Sequence, residues 1–175
     1  WYWAFDDTNP GLYWTTLTRA KQLGFQSYLF DAGWESRPGE LFKWLEGSVG
    51  DYTHPEDKLP SFPGFLQYVK DRLRMNVVLW MSPYAIGRDS IYYRKTSRSH
   101  VLFDRSNTEY NGGLDFAPMT LRLGRRYDEN VNLCPRHSGP REHLKSLFER
   151  VSANYRPNGY WLDFQETIPF LCESF

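Results

Sequence analysis

The sequence predicts an α/β fold built on a parallel sheet, of the (β/α)8 TIM-barrel type. Short apolar runs alternate with segments in which apolar residues recur every three or four positions, a period typical of amphipathic helices. A polar loop lies between most runs and the helix that follows, an order that joins parallel strands by right-handed crossovers. A complete barrel needs about 250 residues. We therefore expect residues 1–175 to be a single partial barrel domain, truncated after the fourth strand, with about four βα units.

The four predicted strands are residues 1–5, 25–30, 77–80 and 159–162. The predicted helices between them are residues 10–23, 62–73 and 140–155. Asn9 is placed to cap the first helix, with Pro10 in its first position and Gly24 as its stop. The last strand is predicted to be buried and to end on a carboxylate, Asp163. Residues 85–132 keep no clear period, and we assign no regular structure to them beyond loops at 97–99 and 111–113 and a short extended piece at 131–133.

Composition limits the classes of function that this chain can serve. The formal net charge is zero, which argues against binding to nucleic acid or to a membrane surface, since phosphate contacts depend on basic excess. Aromatic residues make up 18%, and they suit flat apolar surfaces such as sugar rings or bases as well as cores. No apolar run could span a bilayer, and the first residues lack the features of a signal peptide. The chain is expected to be an excised segment of a longer protein, with its oligomeric state and location open.

Other chemistries are weakly supported by the motifs. Cys134 and Cys172 are too few for a disulfide framework; a bridge between them is open, and two free buried thiols are favoured. The four histidines lack metal-ligand spacing. There is no Walker loop, no dinucleotide fingerprint and no nucleophile-elbow serine. We predict neither a metal nor a cofactor.

Polar groups and indoles follow three of the predicted strands. These are Asp31 with Trp34, Ser82 after Trp80, and Asp163 with Glu166. In a parallel barrel such strand ends converge on one face, so residues distant in sequence become neighbours. Carboxylates framed by indoles suit carbohydrate chemistry, in which an acid pair acts on the glycosidic bond. The alternative is a set of ordinary loop caps over a Trp-rich core, and spacing alone leaves both interpretations open for Asp163.

Several segments, in the correct order, resemble the clan of retaining α-glycosidases that includes glycoside hydrolase families 27, 31 and 36. Residues 30–34 (Phe-Asp-Ala-Gly-Trp) resemble the Asp-Asp-Gly-Trp motif of family 36 α-galactosidases. Residues 50–52 (Gly-Asp-Tyr) with 59–62 resemble its Gly-Asp-Trp … Phe-Pro segment. Residues 79–83 (Leu-Trp-Met-Ser-Pro) are similar to its Leu-Trp-x-x-Pro stretch, and residues 132–135 to its Leu-Asp-Leu-Ser/Thr-x-Pro segment. The resemblance implies an α-galactosidase-like enzyme whose partner is a carbohydrate substrate.

The resemblance also implies a role for individual residues. Asp163 takes the place of the nucleophile, which attacks the anomeric carbon and forms a glycosyl-enzyme that water releases. Asp31 and Trp34 would hold the sugar in the first subsite, with Trp80 as part of its wall. The remaining positions implied to bind substrate are Asp51, Trp161 and Glu166. The acid/base should come from a later strand, so it is not expected in this chain.

Two departures leave the substrate open. The second Asp of the family 36 motif is Ala32 here, and the lysine two residues before the nucleophile is Trp161. Together with Glu166, Trp161 resembles family 31, which implies an α-glucosidase or another α-glycosidase as the alternative. A noncatalytic relative that binds carbohydrate or a protein partner is the alternative of another class. A half-barrel would also have unpaired edge strands, so the isolated segment is expected to be poorly stable or self-associating.

Overall fold

The structure is a computed structural model, which describes residues 9–35, 50–87, 90–95, 130–133, 135 and 137–163. The chain divides into two compact units. The first unit contains the described residues 9–35, 52–81 and 148–162. The second contains the described residues 50–51, 82–87, 90–95, 130–133, 135, 137–147 and 163. The single partial barrel domain over residues 1–175 stays a prediction.

The described residues form helices and strands that alternate along much of the chain. They are α1 (Pro10–Gln22), β1 (Ser27–Phe30), α2 (Phe62–Asp71), β2 (Asn76–Met81), β3 (Ala85–Gly87), α3 (Ile91–Lys95), β4 (Asn130–Asn132), α4 (Ser138–Tyr155) and β5 (Gly159–Leu162). Three predicted helices and three predicted strands are confirmed, with ends that differ by a few residues. The predicted strand at 1–5 lies outside the described residues, as do Cys134, Cys172 and Glu166.

The first unit is built on a parallel sheet with the strand order β1-β2-β5. Phe30 of β1 lies opposite Leu79 of β2, and Met81 of β2 lies opposite Leu162 of β5. The predicted parallel α/β arrangement is therefore confirmed for three strands. The described residues contain this open sheet and not a closed eight-stranded barrel.

The entry into β5 is fixed by one side chain. Asn158 donates its backbone N–H to the carbonyl of Val77 at 2.8 Å, and its side-chain oxygen accepts from the N–H of Val77 at 2.9 Å. The prediction of a buried strand was wrong for the end of β5, because Trp161 is 56% exposed and Leu162 is 45% exposed. The physical reason is that β5 pairs on one side with β2 and is the last strand of the described sheet.

Helix α1 shows how local sequence sets its ends. The side chain of Asn9 accepts a hydrogen bond from the N–H of Leu12 at 3.0 Å, which satisfies an otherwise free donor of the first turn. At the other end Gly24 has a φ of 85°, and Phe25 N–H bonds to the carbonyl of Ala20 at 3.0 Å. Glycine takes this left-handed conformation without strain and closes a Schellman-type cap. The predicted cap and stop are confirmed.

The core of the first unit is largely aromatic. Phe30 contacts the rings of Tyr13 and Phe62 edge-on, with centroids 5.0 and 5.5 Å apart. Such edge-to-face pairs add stability beyond the apolar area that they bury. Leu17 of α1 and Leu66 of α2 are fully buried, so the apolar faces of these helices are in the core, as their spacing predicts. This packing holds the carboxyl end of β1 in place.

The second unit contains structure that sequence did not predict. Strands β3 and β4 form an antiparallel pair, and the short helix α3 lies between them in sequence. Sequence assigned no regular structure to residues 85–132 apart from the extended piece, which β4 confirms, so β3 and α3 were missed. The loops predicted at residues 97–99 and 111–113 lie outside the described residues. Three-residue strands are too short to show a period of two, which explains the miss. Among the described residues of this unit, Ile86 and Leu133 form a buried apolar cluster. No helix in the described part of the chain has the length and apolarity needed to cross a membrane.

Candidate active site

The turn that follows β1 carries the first predicted site residue. Asp31 is half-buried, and its Oδ1 accepts a hydrogen bond from the N–H of Ala32 at 2.8 Å. Gly33 has a φ of 110°, a left-handed conformation that a side chain would strain. The turn is thus shaped by its own sequence and holds the Asp31 carboxylate by a bond to the adjacent backbone.

Trp34 belongs to this turn, and its side chain is fully buried in the core. Its ring stacks on Phe62 at 5.9 Å and meets Tyr155 edge-on at 5.1 Å, and its Nε1 donates to the carbonyl of Trp80 at 3.1 Å. Trp80 is also buried, at 2% exposure. The structure therefore brings these two predicted residues together as packed core side chains, and their contact with a substrate stays a prediction.

Glu35 ends the turn and was missed by sequence reasoning. Both of its carboxylate oxygens are buried, and neither has a hydrogen-bond partner. Burial raises the pKa of Glu35 to about 8, although its backbone N–H and the charge of Lys58 act in the opposite direction. The nearby Asp31 carboxylate raises the pKa further. Glu35 is thus predominantly uncharged at neutral pH, because burial disfavours the charged carboxylate more than the neighbouring donors and Lys58 favour it.

Lys58 is the second buried charged residue beside the turn. It is 5% exposed, and its Nζ donates to the carbonyl of Gly33 at 2.6 Å. Lys58 is 23 residues from Glu35 in the sequence, so no local pattern connects the two. The only available signal was a carboxylate placed directly after the buried Gly-Trp pair, which is a weak one.

A chain of three polar side chains ties the loop before α2 to the end of α4. The Tyr155 hydroxyl lies 2.8 Å from His54 Nδ1 and accepts from the His54 backbone N–H at 3.1 Å. His54 Nε2 lies 3.0 Å from a carboxylate oxygen of Glu56. Burial raises the pKa of Tyr155, and the hydrogen bond from the Ser61 N–H lowers the pKa of Glu56. When His54 Nε2 donates to Glu56 and Nδ1 accepts from the Tyr155 hydroxyl, each of these three hydrogen bonds has one donor and one acceptor. We call the three side chains of Tyr155, His54 and Glu56 the clip, and its role is structural.

The end of β5 offers a more open surface. Trp161 and Leu162 are exposed, and Asp163, the predicted nucleophile, follows them and is half-buried. Asp163 belongs to the second unit, whereas Asp31 and Trp34 belong to the first. The role of Asp163 as the nucleophile stays a prediction.

The remaining predicted positions also lie in the second unit. Both carboxylate oxygens of Asp51 accept from the backbone N–H of Ile91, at 3.1 Å each, so Asp51 holds the start of α3. Ser82 follows β2 and is buried. Within the described residues, no group of three or more His, Cys, Asp or Glu side chains could hold a metal ion.

No protein-family model matches the chain, and no curated protein matches it. Solved structures do match. The family 36 α-galactosidase AgaA from Geobacillus stearothermophilus superimposes with a TM-score of 0.70 at 18% identity, over 91% of this chain and 20% of that chain.

The α-galactosidase from Lactobacillus brevis matches with a TM-score of 0.68 at 19% identity, over 90% of this chain and 18% of that chain. TtGalA, the α-galactosidase from Thermus thermophilus, matches with a TM-score of 0.69 at 18% identity, over 95% of this chain and 30% of that chain. The chain has a glycoside-hydrolase-like fold. It spans 18–30% of the length of these α-galactosidases, so it corresponds to part of each.

Several of these neighbours were solved with carbohydrates or sugar analogues. AgaA variants were captured with 1-deoxygalactonojirimycin, stachyose and raffinose. TtGalA was captured with p-nitrophenyl α-D-galactopyranoside. At 17–19% identity these similarities establish the fold of this chain, and the chemistry must be argued from its own residues.

Proposed function

We propose that this chain forms part of a retaining α-glycosidase of the α-galactosidase type. The observation that carries the proposal is the fold similarity to family 36 α-galactosidases over 91% of the chain, combined with a carboxylate directly after each of the parallel strands β1 and β5. Barrel enzymes place their catalytic groups at the carboxyl ends of such strands. Asp31 and Asp163 occupy these positions in sequence.

In the proposed reaction Asp163 is the nucleophile. Its carboxylate attacks the anomeric carbon and forms a glycosyl-enzyme ester as the bond to the leaving oxygen breaks. A separate carboxylic acid protonates the leaving oxygen and later removes a proton from the water that hydrolyses the ester. Retention requires the two carboxyl groups to be about 5–5.5 Å apart. We assign no residue of this chain to the acid/base.

The sugar would be held by a carboxylate and an aromatic surface. Asp31 would accept hydrogen bonds from sugar hydroxyls, since one of its oxygens is committed to Ala32 and the other has further acceptor capacity. Among the described tryptophans at the strand ends, Trp161 has an exposed ring that suits contact with a sugar face. Trp34 and Trp80 support the turn from within the core. Asp51 and Glu166 remain proposed binding positions.

The test uses the full-length protein and a mechanism-based fluoroglycoside. We expect the label on Asp163, and we expect Asp163→Asn to lose turnover of an activated aryl α-galactoside by about 10³-fold or more. Asp57→Asn is the matched control, because Asp57 is an exposed carboxylate of the described chain. Label on another carboxylate would remove the assignment of Asp163.

Substrate arms of the same assay separate the alternatives. Turnover of an α-glucoside with no turnover of a galactoside would favour the family 31-like alternative, which the tryptophan at position 161 supports. Binding of sugar without label or turnover would indicate the noncatalytic relative. Either result would overturn the proposed α-galactosidase activity and leave the fold unchanged.

A further inference from the structure

The turn after β1, defined here as residues 31–35, is held by hydrogen bonds to its backbone and to Trp34, and it also contains a carboxyl group without a hydrogen-bond partner. Asp31 accepts from the N–H of Ala32, and the buried ammonium of Lys58 donates to the carbonyl of Gly33. Glu35, at the end of the turn, has two buried carboxylate oxygens without a hydrogen-bond partner. Buried polar groups are nearly always satisfied, so an unsatisfied carboxyl in a structural turn requires an explanation.

The charge state of Glu35 decides whether this arrangement is stable. An uncharged carboxyl tolerates burial far better than a carboxylate, which needs a cation or several donors nearby. With a pKa of about 8, Glu35 changes from the uncharged to the charged form in mildly alkaline solution. Lys58 is the cation whose charge acts on Glu35. A carboxylate formed at Glu35 would attract the Lys58 ammonium group, which now donates to the carbonyl of Gly33.

We infer that Glu35 and Lys58 are positioning residues for Asp31, and that proton loss from Glu35 releases the turn that carries Asp31. With Glu35 protonated, Lys58 holds the Gly33 carbonyl and the turn keeps its shape. When Glu35 loses its proton to solvent, Lys58 turns toward the new carboxylate. The peptide between Gly33 and Trp34, which contains that carbonyl, then shifts, and the Gly33 backbone passes the change to the bond from the Ala32 N–H to Asp31.

Other titratable groups near Glu35 do not account for such a transition. The charges of Asp31 and Lys58 shift the pKa of Glu35, and the charge of Glu35 in turn affects the pKa of Tyr155 in α4. Burial raises the pKa of Tyr155 above its usual value of 10.0, so the phenol keeps its proton as Glu35 titrates. Glu56 lies beyond Tyr155, through His54, and its lowered pKa keeps it charged throughout. Among the described residues, a transition near pH 8 in this turn would therefore belong to Glu35.

The experiment follows the backbone of the turn by NMR in the full-length protein between about pH 6 and 9.5, on either side of the expected midpoint. We expect the amide shifts of Ala32 and Gly33 to change in a single step with a midpoint near pH 8, together with the side-chain carbon of Glu35. Glu35→Gln, which stays uncharged, is expected to abolish the step. Lys58→Met is expected to raise its midpoint by about one pH unit or more, because an attractive charge is lost.

Asp57→Asn, next to Lys58 in sequence and exposed, is the matched control and should leave the step unchanged. The inference fails if Glu35 titrates while the Ala32 and Gly33 amides do not, because Glu35 would then be a buried acid without influence on the turn. It also fails if the step persists in Glu35→Gln. Failure of Glu35 to titrate in this range would be equally decisive.

The consequence for ligand binding rests on the proposed function and has its own measurement. If Asp31 holds a sugar, the Kd for galactose, which stays uncharged over this pH range, should rise several-fold above about pH 8.5 in the wild type and stay level in Glu35→Gln. The amide titration requires no sugar. If the amide shifts change with pH as expected but no sugar binds, only the proposed function is contradicted. If the amide shifts change and the Kd does not depend on pH, the turn does not position Asp31 for the ligand.

Discussion

The residues that follow β1 and β5 hold equivalent places at the ends of parallel strands, yet their surroundings differ. After β1 the chain enters an aromatic core, where Trp34 is fully buried and Glu35 has buried oxygens. At the end of β5, Trp161 is 56% exposed. The comparison teaches that a position in a sheet does not decide what a side chain does there. Changes after β1 should act on stability first, whereas changes at β5 should act on recognition.

The largest effect should come from Trp34→Ala. Removing a fully buried indole leaves a cavity and also a Trp80 carbonyl without its donor. We expect the free energy of unfolding to fall by about 3–5 kcal/mol. Chemical denaturation of the full-length protein measures it, and Trp14→Ala, at an exposed tryptophan of α1, is the control. Equal losses for the two variants would contradict the buried placement of Trp34.

The second effect depends on pH. The pKa of Glu35 is about 8 in the folded state and near its ordinary value of 4.5 in the unfolded chain, so the folded state binds more protons between these values. The free energy of unfolding should therefore fall as pH rises from about 5 to 8, by an amount on the order of 3–4 kcal/mol. Glu35→Gln should flatten that part of the profile. A profile that rises with pH in both proteins would reverse the assigned direction.

A smaller effect is expected for Tyr155→Phe. The hydroxyl of Tyr155 bonds to both the ring and the backbone of His54, and its loss leaves those partners unsatisfied in a half-buried place. We expect a loss of about 1–2 kcal/mol in thermal or chemical unfolding. Tyr160→Phe removes a hydroxyl that bonds to Ser152 on the exposed face of α4, and should cost less. A larger loss for Tyr160→Phe would show that the clip carries little stability.

The smallest effect on stability should be at the end of β5. Trp161→Ala removes an exposed ring, so the free energy of unfolding should change by less than about 0.5 kcal/mol. If the proposed function holds, the same variant should weaken sugar binding, which isothermal titration can measure. A stability loss as large as that of Trp34→Ala would remove the distinction between the two strand ends.

Sequence predicted the elements that carry a long period or a strong end signal. Sequence predicted the cap at Asn9, the stop at Gly24 and the strands that flank β2, because local residue types determine where each element begins and ends. The strand pair β3 and β4 was not readable in full, since three residues carry no period and their pairing joins segments far apart in sequence. Short elements depend on tertiary contacts that a linear pattern does not contain.

The candidate site divides in the same way. Asp31 and Asp163 were found because they follow recognisable strands, and their roles remain proposals. Glu35 was missed because its unusual state comes from burial and from Lys58, which is distant in sequence. The exposure of Trp161 could not be predicted either, since an apolar strand reads alike whether one or both of its edges are paired. Environment, rather than residue type, was the missing information.

The side chain of Asn158 has one more implication, which concerns alignment. By bonding to Val77 through both its backbone and its amide group, it fixes β5 against β2 immediately before their first paired residues, Gly159 and Val78. Side chains alternate between the two faces of a strand, so a slip of a single residue would exchange the faces of Tyr160 and Trp161. The Asn158 side chain, at the start of the strand, thus determines that the Trp161 ring is exposed to solvent and that the Tyr160 hydroxyl bonds to Ser152.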